Sequence, residues 1–444
     1  MTTAQLLVGL TALLLAFGSA GNVAAAGPPP NYFVDESKLP FDALPNTSTT
    51  RYWGIHNGAG YHIEVPVNWN GELVLYGHGF RGTGLELTVT NPRIRSWLVT
   101  HGYAWAASSY SKNGYDVKQG VKDTHALEER FNGLVGIPTR TYITGHSMGG
   151  HITGVAIEQY PGAYVGALPM CGVMGDNELF DYYLDFNLVA EALATYPAEF
   201  PFPADYQTVV VPIVKKALGG PPGPAYPFFL NAQGLKLRGV TQNLSGGTRP
   251  EFPTSFIIWG NFLFTVGVSG GDLGVAPGNV QDNSTTVYQI DSDPALSQDE
   301  IALNAAVLRV TQDPQGRHPN GLANIPPILG NFKIPVLTLH TIGDLFVPIS
   351  MEQIYARRAA AQGSGSLLVQ RAIRDHNHCG FAVKEEENAI EALVNWVEHG
   401  VKPAGDDILA PATATVPDPK FGCTFTVPSH IKPAFPTAFP PCGP

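Results

Sequence analysis

Residues 141–150 read Thr-Tyr-Ile-Thr-Gly-His-Ser-Met-Gly-Gly, and they constrain this chain more than any other stretch. They contain G-x-S-x-G, with Gly145, Ser147 and Gly149 at the fixed places. Thr139 to Ile143 reads as a short buried strand and His151 to Tyr160 as a helix. The serine therefore stands in the strand–turn–helix context of a nucleophile elbow. Such a turn is strained and lifts the hydroxyl off the sheet. A side chain at Gly145 or Gly149 would collide with neighbouring backbone. The helix behind Ser147 also directs N–H groups and a positive dipole end at any anion that forms there.

An elbow of this kind needs a sheet around it. Gly60 to Pro66 alternates and reads as an edge strand ended by Pro66. Glu72 to Gly77 has the continuous apolar character of a sheet-centre strand. Asn91 to Thr100 reads as a helix, Tyr103 to Ser108 as a strand, Gly120 to Val135 as a helix and Val165 to Cys171 as a strand. Strands alternating with helices imply an α/β fold with a mostly parallel sheet. After Glu72–Gly77 come His78-Gly79-Phe80-Arg81-Gly82. Carbonyl activation needs a second N–H donor from this loop, and glycines let the backbone approach closely; Phe80 is the candidate.

From Gly172 to Gly330 the alternation stops. Asp176 to Leu193 and Gln298 to Val310 read as helices, prolines punctuate the rest, and Phe262 to Val266 would line a groove. Residues 172–330 are therefore expected as an inserted lid or cap between core segments 28–171 and 331–402. The sheet resumes at Ile334 to His340, followed by a helix at Met351 to Ala361, a strand at Leu367 to Ala372 and a helix at Lys384 to His399. Residues 403–444 form a proline-rich extension, either wrapped or semi-rigid.

A serine hydroxyl becomes a good nucleophile only when a base takes its proton, and an imidazole base needs a buried carboxylate to fix its tautomer. Asp344, just past a core strand, and His378, just past the last one, complete that order with Ser147. His376 and His340 are rival histidines, and Asp313 and Asp375 rival acids. His378 is preferred because a disulfide at Cys379 would clamp its loop. His78 and His146 are assigned supporting roles. Together, Gly145-His146-Ser147-Met148-Gly149-Gly150, His78-Gly79, Gly343-Asp344 and His378 resemble the secreted serine esterases of the α/β-hydrolase fold. The resemblance covers residues 60–171 and 331–399. It implies Ser147 as nucleophile, Asp344 as acid, His378 as base, and the N–H groups of Phe80 and Met148 as oxyanion hole. It further implies two-step hydrolysis of a small-molecule, lipid or polymer ester with no cofactor. The insertion and tail match no subfamily.

Three other readings stay open: a serine exopeptidase of the same fold, a polyester depolymerase and a catalytically silent binding protein. An exopeptidase would need an acidic clamp for an α-amino group, and Glu178, Asp181 and Asp185 are the candidates. The net charge of −11 disfavours nucleic acid and acidic membranes. An apolar run at residues 6–18, followed by small residues to Gly27, reads as a signal peptide (1–26), hence secretion without stable membrane insertion. Four cysteines in an exported chain allow three pairings; spacing favours Cys423–Cys442 and leaves Cys171–Cys379. No metal-ligand spacing stands out. Asn46, Asn243 and Asn283 head glycosylation sequons, and the chain is expected to be a monomer.

Overall fold

The computed structural model describes residues 31–220, 226–267, 279–314, 316–317, 324–430 and 442; the expected signal peptide lies outside them. In chain order the core elements are β1 (Thr49–His56), β2 (Ala59–Pro66), β3 (Glu72–Gly77), α1 (Arg95–Thr100), β4 (Ala104–Ser108), α2 (Val117–Leu134), β5 (Arg140–His146), α3 (Met148–Gln159) and β6 (Gly166–Met170). The insertion contributes α4 (Glu178–Leu193), α5 (Val211–Leu218), α6 (Ala232–Leu244), α7 (Phe252–Trp259) and α8 (Gln298–Ala306). The core then closes with β7 (Val336–Thr341), α9 (Ser350–Ala361), β8 (Leu368–Ile373) and α10 (Val383–His399).

The eight strands lie in the order β1-β2-β4-β3-β5-β6-β7-β8. The β1–β2 and β2–β4 pairs are antiparallel and the others parallel. Successive side chains of a strand point to opposite faces. Leu73 and Leu75 accordingly join the core packed with α2, α3 and α9, whereas Val74 and Tyr76 join the core of α1 and α10. Both faces are covered, which explains the unbroken apolar run of β3. This is the α/β-hydrolase fold, as the sequence predicts.

The sequence reading needs correction at one end of the sheet. β2 is not an edge strand: β1 covers it, with Thr49 opposite Pro66, so the proline ends the strand without marking a free edge. Glu64 of β2 is fully buried, and Arg95, Trp105 and Thr49 all donate to its carboxylate. α3 begins at Met148, directly after the serine, and not at His151. α8 ends at Ala306, short of the predicted Val310.

The tail is wrapped over its described residues up to His430. Asp406 N–H donates to Gln370 O (2.8 Å) and its carboxylate accepts from Ala372 N (2.8 Å), so the extension satisfies the outer edge of β8. Cys171 pairs with Cys379 and Cys423 with Cys442. Of the three sequons, Asn46 is exposed, whereas Asn243 Nδ2 donates to Gln289 O and Asp291 O. Asn283 must be withdrawn: it is 1% exposed and its Nδ2, where a glycan would attach, donates to Tyr288 and to Leu308 O. No helix among the described residues is long and apolar enough to cross a membrane.

Candidate active site

Ser147 occupies the turn between β5 and α3 with φ 57° and ψ −120°, a left-handed conformation that costs a non-glycine residue energy. Three glycines make room for it. A Cβ on Gly145 would stand 2.3 Å from Gly149 O, one on Gly149 2.1 Å from Gly77 O, and one on Gly150 2.7 Å from Gly172 Cα. The elbow is thus pressed against the ends of β3 and β6. Ser147 N–H donates to Met170 O (3.0 Å), fixing the turn to β6. Behind it, His146 lies 3.2 Å from the Tyr76 hydroxyl and 3.3 Å from buried Glu386, itself paired with Arg93.

The loop after β3 runs beside the serine: a Cβ on Gly79 would sit 3.2 Å from Ser147 Cβ. His78 is buried, stacked on Tyr110 at 4.2 Å, and burial pushes its imidazole down to about 4, so it is neutral. Its Nδ1 lies 2.6 Å from Gly79 O. Gly79 O and Phe80 N–H belong to one planar peptide, so this contact fixes the direction of the Phe80 N–H.

Asp344 stands after β7 and His378 after β8, at the same C-terminal sheet edge as Ser147. Asp344 is fully buried; Oδ1 accepts from Phe346 N (2.8 Å) and Val347 N (3.0 Å), and Oδ2 lies 2.6 Å from His378 Nδ1. With Nδ1–H held by a carboxylate, Nε2 presents its lone pair. Nε2 has no hydrogen-bond partner among the described residues.

The rivals are engaged elsewhere. His376 Nδ1 lies 3.0 Å from Ser255 Oγ, its carbonyl accepts from Trp259 Nε1 (2.8 Å), and burial pushes its imidazole down to about 4. His340 is locked between Glu352 and Val347 O. Asp375 accepts from Asn377 N and faces His430, and Asp313 caps Asn279 N. Cys171, His378 and Cys379 come within metal-ligand reach of one another, but both sulfurs are spent in a disulfide, so they form no ligand set.

Several supporting residues escape sequence reasoning. Tyr182 and Tyr183 of α4 donate to Leu345 O (3.2 Å) and Phe346 O (2.7 Å), bracing the acid loop from the insertion. Arg249 Nε donates to Ile342 O (2.6 Å). Phe346 meets the His378 ring at 5.0 Å and Phe262 at 5.0 Å, with Trp259 at 6.3 Å. Apart from Phe262, which stands in the stretch expected to line a groove, nothing in the pattern of the insertion marks these residues, because single side chains reach distant parts of the chain. The acids that an exopeptidase would need as a clamp are engaged elsewhere. Asp181 is held by Arg317, Asp185 accepts from Tyr288 (2.7 Å), and Glu178 is 3.8 Å from Arg358.

No known family model matches the chain. One curated relative, the o-phthalyl amidase of Xanthobacter agilis, is 31% identical over 90 residues, a stretch that spans only 20% of either chain. Feruloyl esterase B from Aspergillus oryzae superposes with a TM-score of 0.49 at 15% identity, covering 85% of this chain and 86% of that one. An esterase from Aspergillus oryzae gives 0.46 at 14% identity (80% and 81%). Tannin acyl hydrolase from Aspergillus niger gives 0.43 at 12% (80% and 79%).

Proposed function

We propose that this chain is a secreted serine ester hydrolase working through an acyl-enzyme. The observation that carries the reading is the fully buried Asp344 bound to His378 Nδ1 at 2.6 Å, which leaves Nε2 unengaged at the sheet edge where the strained Ser147 stands. Ser147 Oγ attacks the ester carbonyl while His378 Nε2 takes its proton. The imidazolium is stabilised by Asp344, and the N–H groups of Phe80 and Met148 receive the oxyanion. His378 then protonates the departing alcohol, and water drawn on by the same nitrogen releases the acid. In the described part of the 172–330 cap, half-buried Trp259 and Phe262, with Phe346, give an apolar wall beside His378. Two disulfides accord with export, since such bonds persist in oxidising compartments.

Exopeptidase activity is the weaker reading, because the acids that would grip an α-amino group are tied up in other contacts. The test is hydrolysis of a chromogenic ester ladder, acetate to palmitate plus an aromatic acyl ester, beside an aminoacyl anilide and an aryl amide. The expected result is ester cleavage that vanishes in Ser147→Ala with an inert anilide. Cleavage of the anilide alone would establish a peptidase, and ester cleavage untouched by Ser147→Ala would end the mechanism.

A further inference from the structure

The loop carrying His378 is gripped from two sides besides its disulfide. Arg374, at its start, is buried with Nε 2.8 Å from Glu251 of the insertion and Nη2 2.5 Å from Pro419 O of the tail. Its N–H donates to Thr426 Oγ1 (2.8 Å), again in the tail. His376 is held by Ser255 and Trp259 of the insertion. Between them Asp375 turns to the tail: Oδ2 is 2.9 Å from His430 Nε2, while Oδ1 accepts from Asn377 N (2.6 Å), one residue before His378.

The other face of the His430 ring system is equally committed. Nδ1 lies 2.8 Å from both carboxylate oxygens of Glu385, and His430 is 5% exposed. Ionised carboxylates only accept hydrogen bonds, so a ring with one at each nitrogen carries both protons. Burial works against that charge, but the bonds from Asp375 and Glu385 outweigh it and raise the imidazole to about 9. Glu385 also accepts from Ala382 N (2.8 Å) at the start of α10 and from Val427 N (2.9 Å) of the tail. The neighbouring charges are already paired: Arg374 with Glu251, and Glu386 with Arg93.

We propose that the C-terminal extension is part of the catalytic apparatus, with His430 a positioning residue. As a cation seated between Asp375 and Glu385, it holds the Asp375–His378 loop in its working register and offsets one of their two negative charges. This rests on His378 being the base.

The test uses the full chain, with pH profiles of kcat and kcat/KM for wild type, His430→Gln and the pair His430→Gln with Asp375→Asn. In His430→Gln, kcat falls about tenfold with KM nearly unchanged, because loop misplacement acts on the chemical step. Two unbalanced carboxylates now favour the protonated base, so the acidic limb of kcat/KM moves up by about half a unit. The double variant loses one carboxylate with the cation and returns the limb to its wild-type place, while kcat stays low. If kcat and limb match wild type in both variants while only the unfolding midpoint falls, His430 merely pins the tail and the proposal is overturned. Should His430→Gln fail to fold, the double variant decides: reduced kcat supports the proposal and wild-type kcat refutes it. Ser147→Ala is run alongside. Activity surviving in it would sink the esterase reading, whatever His430 does.

Discussion

Replacing Gly149 by alanine should damage the rate far more than its single methyl group suggests. The new Cβ would stand 2.1 Å from Gly77 O, 2.5 Å from Gly77 C and 2.9 Å from His78 O, all backbone atoms that cannot rotate away. Ordinary contact begins at 3.4 Å, so β3 and α3 must part. The gap required is about 1 Å or more, because close-packed interiors have no slack to absorb it. Overpacking of this kind costs about 1–3 kcal/mol of stability. The same movement separates Ser147 and Met148, at the start of α3, from the 78–80 loop that follows β3, and a 1 Å misplacement costs about 100-fold in rate. Gly133→Ala in α2 is the control: nothing lies within 4 Å of its Cβ. It should stabilise by about 0.5–1 kcal/mol and leave the rate alone. Thermal unfolding and ester kcat/KM read both effects. If Gly149→Ala keeps wild-type kcat/KM, the elbow and the 78–80 loop do not act as one unit and the reasoning fails.

Further outcomes follow from the same contacts. Asp344→Asn should cut kcat about 10³- to 10⁴-fold with the fold intact by circular dichroism, since the carboxylate fixes the His378 tautomer. Tyr183→Phe removes the bond to Phe346 O and should cost about 1 kcal/mol in unfolding free energy, with a smaller loss of kcat. His430 is raised to about 9 in the folded chain from about 6.5 when unfolded. Its contribution to stability is thus complete below pH 6.5 and is lost as pH rises through 9, so the unfolding midpoint should fall over that window. In His430→Gln that part of the alkaline decline should be missing.

What the sequence tells about this protein depends on how local the signal is. Ser147, Asp344 and His378 stand out in the sequence because each follows a strand end with its own short pattern, and the structure puts the Asp344 and His378 side chains in contact. The Cys171–Cys379 bond beside His378 is legible by parity and spacing. β1 is not, because its burial alternates over Thr49–His56 with Trp53 and Ile55 exposed, which gives no core signal. The insertion is opaque for a different reason. Asn187, Gln281 and Asn283 hold it together through side-chain bonds to distant carbonyls, which leave no period in the chain. His430 sits in a proline-rich tail without periodicity, so only its two carboxylate partners show that it belongs with the His378 loop.

The most direct test is covalent labelling with a fluorophosphonate ester, followed by peptide mass mapping of wild type, His378→Ala and Ser147→Ala. On the proposed mechanism, Ser147 should take one label in wild type, label far more slowly in His378→Ala, and carry none in Ser147→Ala. Labelling at any other residue, or labelling of Ser147 at the same rate without His378, would contradict the triad.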